Sequence, residues 1–287
     1  MRPLHIFFAI LVMAIWGFSF VTMEVGLRDM PPLLLCGSRF LFASIPAVFF
    51  IKRPVMPLKM VALYGFLMFA ASFSFAFFGI RAGVSPGLVS LLVQLQIFFT
   101  ILLAVLFLQE SVNKWQIMGA IIAVGGLGIV GMHIGGNITI LGLLFILAAA
   151  FCWSVANIII KQAGNVNILA LTVWGGLFAW PPLFLLSFII EGPSKVLQSF
   201  QHLNLLAAAS ILYMAYPATL IGFLGWGWLL KTYRTATVTP FALLIPVFGI
   251  LSSVIFLHEP FQTWKITAAM LILAGLCVNI IGPRVFK

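Results

Sequence analysis

The sequence predicts an all-α integral membrane protein whose ten transmembrane helices form two inverted five-helix repeats, and three observations carry that expectation. The 287-residue chain is 63% hydrophobic and only 7% charged, far from the balance of a water-soluble domain. Ten apolar runs of membrane-spanning length follow one another with short connections. Finally, Val105-Leu106-Phe107-Leu108-Gln109-Glu110, closed by Trp115, returns 149 residues later as Val254-Ile255-Phe256-Leu257-His258-Glu259, closed by Trp264. An odd number of crossings separates the copies, which carries the second to the opposite face of a bilayer.

The spans are expected over about 4–25, 32–51, 58–80, 86–108, 114–132, 139–161, 168–190, 205–230, 236–257 and 264–282. No stretch long enough for a soluble domain remains, so function must lie within the bundle. With the N-terminus inside, Arg2, Lys52, Arg53, Lys59, Lys114, Lys161, Lys231, Arg234, Arg284 and Lys287 fall on the cytoplasmic side. Only Arg28, Arg81, Lys195 and Lys265 fall outside, and Arg39 lies within a span. The positive-inside rule therefore places both termini in the cytoplasm. The net charge of +10 is dispersed over loops, which argues against a nucleic-acid partner.

The first span runs from behind Arg2 through Trp16 to Glu24 with no small-residue cleavage site, so it reads as a retained helix rather than a signal peptide. Ser19 and Thr22, three apart, share one of its faces. The second span follows the tight hairpin Arg28-Asp29-Met30-Pro31-Pro32 and carries Arg39 seven residues in, roughly 10 Å deep. A charge at that depth costs on the order of 2.5–3.5 kcal/mol and needs a partner. The hairpin brings Glu24 to a similar height, so an ion pair between Glu24 and Arg39 is expected, serving either gating or the register of the hairpin.

The fourth span carries Ser90, Gln94, Gln96 and Thr100, which helical spacing divides into a Ser90/Gln94 face and a Gln96/Thr100 face. Both must meet protein or water, by helix-to-helix hydrogen bonds or by ligand contact. Glu110 and Glu259, ending spans four and nine, read as caps of the following helix or as loop hydrogen-bond acceptors. Gly125-Gly126-Leu127-Gly128 lies mid-span in the fifth, with no preceding strand and no Lys-Ser/Thr, and so is not a nucleotide loop.

The halves divide near Gly135-Gly136, giving units 1–135 and 136–287. Span six repeats span one with Trp153 for Trp16, and adds Ser154, Asn157 and Lys161. Eight residues beyond each tryptophan one half has Glu24 and the other Lys161, opposite charges expected at opposite mouths of a central path or as interfacial residues. In span seven Pro181 matches Pro46, and Trp174 replaces Arg39. Span eight offers Tyr213, Tyr216 and Thr219 around Pro217, followed by Gly222, Gly225 and Gly227. Span nine holds Pro240 and Pro246, with Pro246 aligned to Ile97; an interior proline bends a helix and frees a carbonyl, for packing or as a gate. Span ten repeats span five through Ile266, Ala269 and Gly275-Leu276.

Catalytic chemistry has little material. Cys36, Cys152 and Cys277 lie in three spans and read as packing residues, and His5, His133, His202 and His258 are scattered. No metal spacing, no Ser/His/Asp arrangement and no cofactor motif is present. An enzyme is therefore not expected.

Trp16-Gly17-x-x-Phe20, Arg39-Phe40, Phe99-Thr100 and the two Glu-terminated copies resemble the EamA family of the drug/metabolite transporter superfamily, over essentially the whole chain. Met30-Pro31-Pro32-Leu33, Arg53-Pro54 with Pro57-Leu58, and Gln94-x-Gln96-x-Phe98-Phe99-Thr100-Ile101 are similar to the family's exporters of cysteine and O-acetylserine. The resemblance implies two EamA repeats in a bacterial inner-membrane carrier that exports amino acids or related small metabolites by alternating access. It also implies a central cavity lined mainly by spans one, three, four, six, eight and nine. On that basis Trp16, Ser19, Gln94, Gln96, Asn157, Tyr216 and Pro246 are candidate substrate contacts, and Glu24, Arg39 and Lys161 candidate gating or coupling residues. Protons are the coupling ion considered, through Glu24. The alternatives are a carrier of another metabolite or drug cation, and a passive channel. Two departures weaken the transfer: Glu24 stands where relatives commonly have Lys, and Ile97 where many have Pro.

Overall fold

The computed structural model describes residues 1–135, 138–164, 166–260 and 262–285; Gly136, at the expected boundary, and Lys287 lie outside the described residues. Ten helices among them are long and apolar enough to cross a membrane: α1 (Pro3–Leu27), α2 (Pro32–Phe49), α3 (Leu58–Arg81), α4 (Pro86–Leu108), α5 (Lys114–Gly131), α6 (Ile140–Ala163), α7 (Ile168–Glu191), α8 (Leu205–Thr232), α9 (Thr239–Leu257) and α10 (Thr263–Pro283). A short helix, Pro193–Gln201, precedes α8.

Local chemistry sets the helix ends. Pro3, Pro32 and Pro86 occupy first turns, where a missing N–H costs nothing. Asn113, Thr139, Asn167 and Asn204 accept hydrogen bonds from the first N–H groups of α5, α6, α7 and α8. The repeated motif closes α4 and α9 alike. Gln109 and His258 both adopt positive φ, 54° and 53°. The next N–H groups, of Glu110 and Glu259, then reach back to the carbonyls of Ala104 and Ser253, each at 3.3 Å.

The inversion is visible in side-chain packing. Where α5 crosses α10, a Cβ on Gly119 would lie 2.5 Å from the Gly275 carbonyl, and one on Gly126 would lie 3.0 Å from the Ala268 carbonyl. Gly119 corresponds to Ala268 and Gly126 to Gly275 in the repeat, so each contact is the image of the other. Small residues permit this backbone approach, and close packing of this kind drives helix association in lipid. The other pairings obey the same interchange: α1 packs along α8 and α9, α6 along α3 and α4, and α2 along α7.

Four breaks in helical regularity are also paired, while α2 ends in a 3-10 turn over Ala47–Phe49 and α7 in a π-helix over Ser187–Glu191. α3 becomes a π-helix over Phe66–Ser72 and α8 over Met214–Ile221. α4 tightens to a 3-10 helix over Val93–Leu95 and α9 over Thr239–Leu243. Pro217 lies within the α8 break and Pro246 follows the α9 break, yet α3 and α4 break at corresponding places without proline. The irregularity thus belongs to the fold, and the substitution of Ile97 for Pro246 does not remove it.

Candidate functional site

α4 presents its two polar faces to two different helices. Toward α6, Asn157 Nδ2 donates to Gln96 Oε1 at 2.7 Å and to Thr100 Oγ1 at 3.1 Å. Thr100 Oγ1 in turn donates to the Gln96 carbonyl at 2.7 Å. All three are half-buried, so this seam joins the halves and keeps an accessible side. Toward α9, Ser90 packs against Gly249, and Gln94 Nε2 donates to the Ala242 carbonyl at 3.1 Å. Ala242 stands four residues before Pro246, so its carbonyl is the one that proline leaves without an α-helical donor. The carbonyl expected to be freed in α9 is thereby taken by an amide of α4.

Trp16 ties α1 to α8. Its Nε1 donates to the Ala218 carbonyl at 2.8 Å, and its ring meets Phe223 and Trp226 at centroid distances of 5.4 and 5.8 Å. Gly222 makes room, because any Cβ there would collide with the indole. Ser19 Oγ donates back to the Trp16 carbonyl at 2.6 Å, which leaves that hydroxyl within its own helix. Tyr216 is exposed and makes no hydrogen bond among the described residues; the structure does not bring it to the α4–α6 seam.

The expected Glu24–Arg39 ion pair does not form. α1 packs along α8 and α9 while α2 packs along α7, so helices adjacent in sequence do not present these side chains to each other. Arg39 is 2% exposed, and its Nε donates to Thr219 Oγ1 at 3.1 Å. Thr219 passes its own proton to the Met214 carbonyl at 2.8 Å, inside the π-helical stretch of α8. The guanidinium sits 4.2 Å over the Phe73 ring and 5.2 Å from that of Phe40. Neither Phe73 nor the use of Thr219 as partner was legible in sequence, because Phe73 is one of many phenylalanines in α3 and Thr219 is 180 residues from Arg39.

Glu24 instead lines a cavity of about 290 Å³ with Arg28, Ser85, Pro86, His258 and Glu259. Glu259 accepts from Ser85 Oγ, from the Gly87 N–H at 3.3 Å and from Lys265 at 2.8 Å. It therefore clamps the start of α4 as well as reaching the helix that follows it. At the opposite end Lys161 pairs with Glu110 at 2.6 Å, both about half exposed; Asn113, not Glu110, caps α5. Glu191, which sequence reasoning did not single out, accepts the N–H groups of Leu33 and Leu34 at 2.7 and 3.2 Å. A carboxylate there meets the positive end of α2.

These groups offer hydrogen-bond donors and acceptors between the halves, and among the described residues they form no paired nucleophile and base. The EamA-like transporter family matches residues 3–132 and again 140–281, one match for each half. The chain is 38% identical over 285 residues to a "Probable amino-acid metabolite efflux pump" of Salmonella typhimurium, covering 97% of this chain and 95% of the relative. An Escherichia coli protein of the same description is 36% identical over 282 residues, covering 96% and 94%. A solved structure described only as "Crystal structure of protein" superposes over the full length of both chains with a TM-score of 0.65 at 16% identity, a likeness of fold. The chain belongs to the EamA-like transporter family.

Proposed function

We propose that this protein exports amino acids or closely related small metabolites, of the cysteine and O-acetylserine kind, as a secondary carrier working by alternating access. The observation that carries the reading is full-length similarity, at 36–38% identity, to proteins described as amino-acid metabolite efflux pumps. The inverted halves add a physical reason: two pseudo-equivalent bundles joined by polar seams can rock about a site between them. In this reading both termini face the cytoplasm of a bacterial inner membrane.

Gln96 and Asn157 are the first cargo contacts; Gln94, on the α9 face, and Pro246 enter the path only when the Gln94–Ala242 hydrogen bond opens. Trp16, Ser19 and Tyr216 contribute to the wall. Lys161 serves the gate at its end through Glu110. Glu24, in a cavity with a second acid, is the candidate for proton coupling. A zwitterion suits such a path, since amides, hydroxyls and carbonyls satisfy both its charges with little net charge of their own.

The test is counterflow in proteoliposomes loaded with cysteine, O-acetylserine or aromatic amino acids. Trans-stimulated uptake of a labelled amino acid is expected. Flux without trans-stimulation would identify a channel, and exchange inhibited only by nucleotide sugars or cationic drugs would identify a carrier of a different load.

A further inference from the structure

The most deeply buried charge in the bundle has no acidic partner, although every acid in the chain is accounted for. Glu24 lines the end cavity, Asp29 accepts from Asn204 at 2.8 Å, and Glu191 holds the start of α2. Glu110 and Glu259 pair with Lys161 and Lys265. Arg39 is left with one hydrogen bond, from Nε to Thr219, while its Nη1 is buried with no partner among the described residues. A guanidinium withdrawn from water without a counter-charge is strongly destabilising. Stacking on Phe73 and Phe40 offsets part of that cost and supplies no negative charge.

The surroundings of the guanidinium are aromatic. Phe73 meets Trp153 of α6 at 5.7 Å, and Phe69 meets Phe223 of α8 at 6.1 Å. Phe73, Trp153 and Phe223 are each half-buried, so the aromatic cluster around Arg39 keeps an accessible side. Both helices that hold the guanidinium from across the bundle, α3 and α8, turn π-helical beside it. π-Helical insertions within α-helices are frequent at functional sites.

We infer that Arg39 is the carboxylate-recognition residue of the transport path: Thr219 fixes its Nε, Phe73 seats its plane, and its free Nη edge receives the carboxylate of the cargo. The inference rests on the reading of the chain as a carrier and narrows its load to carboxylate-bearing solutes. A planar fork suits a carboxylate, which it can bind through two parallel N–H···O bonds. A decarboxylated amine leaves the fork unpaired and adds a second positive charge beside it, so the same residue selects against cations.

The experiment uses purified wild type, Arg39→Gln, Arg39→Lys and Thr219→Val, each accepted only if monodisperse. In proteoliposomes that exchange labelled cysteine, 3-mercaptopropionate should compete and cysteamine should not. Arg39→Gln should raise the half-saturating cysteine concentration about tenfold or more and erase the preference for the carboxylate analogue. Arg39→Lys should keep the preference at reduced affinity, and Thr219→Val should fall between. A folded Arg39→Gln protein that retains the wild-type preference overturns the inference.

If wild type exchanges no amino acid, the amino-acid reading fails separately, and thermal stabilisation by monocarboxylates against their matched amines and amides decides the role of Arg39. Selective stabilisation by carboxylates, lost in Arg39→Gln, supports it. No carboxylate effect, an equal effect in the variant, or an equal effect of chloride overturns it.

Discussion

Lys161 Nζ lies 2.6 Å from the Glu110 carboxylate, whereas Glu24, the counterpart of Lys161 in the repeat, shares a cavity with Glu259, the counterpart of Glu110. One end of the bundle therefore closes a base on an acid. The other places Glu24 and Glu259 in one cavity with Arg28, and pairs Glu259 with Lys265 of α10, where α5 has Gln116. If the proposed alternating access holds, the two ends open by breaking different interactions, and the two half-cycles should differ in their dependence on salt and pH.

Charge reversal tests the first end. Lys161→Glu and Glu110→Lys should each slow exchange, and the double variant should recover it. Thermal unfolding should show a coupling of about 0.2–1 kcal/mol, as expected for a solvent-exposed pair. Strictly additive single effects on both rate and stability would show that the contact plays no part in closure.

Glu24 tests the second end. Because no partner of Glu24 is stranded by its loss, Glu24→Gln should leave unfolding within about 0.5 kcal/mol of wild type. The variant should instead alter how export responds to an imposed pH gradient across vesicles. An unchanged gradient dependence removes Glu24 from the coupling step.

The carbonyl of Ala242 links Gln94 to Pro246. Gln94→Leu leaves that half-buried acceptor without its partner, at a cost of about 0.5–1.5 kcal/mol. Adding Pro246→Ala restores an N–H four residues on and should recover part of the loss. If Pro246→Ala is equally destabilising in both backgrounds, Gln94 does not satisfy the carbonyl in the folded protein.

The α5–α10 crossing depends on missing side chains. Gly119→Val forces atoms into the Gly275 backbone and should cost about 1–3 kcal/mol or more. Gly125→Ala, where nothing lies within 4 Å of the new Cβ, should be neutral or mildly stabilising. Comparable melting points for both variants, measured in the same detergent, would show that the crossing is not close-packed.

Much of the candidate site could be read from residue types before any contact was known. The Gln96/Thr100 and Ser90/Gln94 faces follow from helical spacing, and both do meet protein, at Asn157 and on α9. The Glu24–Arg39 pairing failed because it assumed that helices joined by a tight hairpin pack along their length, whereas α1 lies along α8 and α9 instead. Thr219 was visible as a polar residue in span eight, but nothing near it in sequence marks it as the partner of Arg39.

By itself the sequence determined the ten spans and the inverted duplication, because each is a local obligation. Backbone groups in hydrocarbon must be satisfied within their own helix. Only the tertiary structure decided which faces of those helices look inward, since lipid tails are as apolar as leucine and hydropathy cannot tell core from bilayer. The pairing of Arg39 with Thr219, of Gln94 with the carbonyl ahead of Pro246, and of Glu24 with Glu259 in one cavity all depend on that choice.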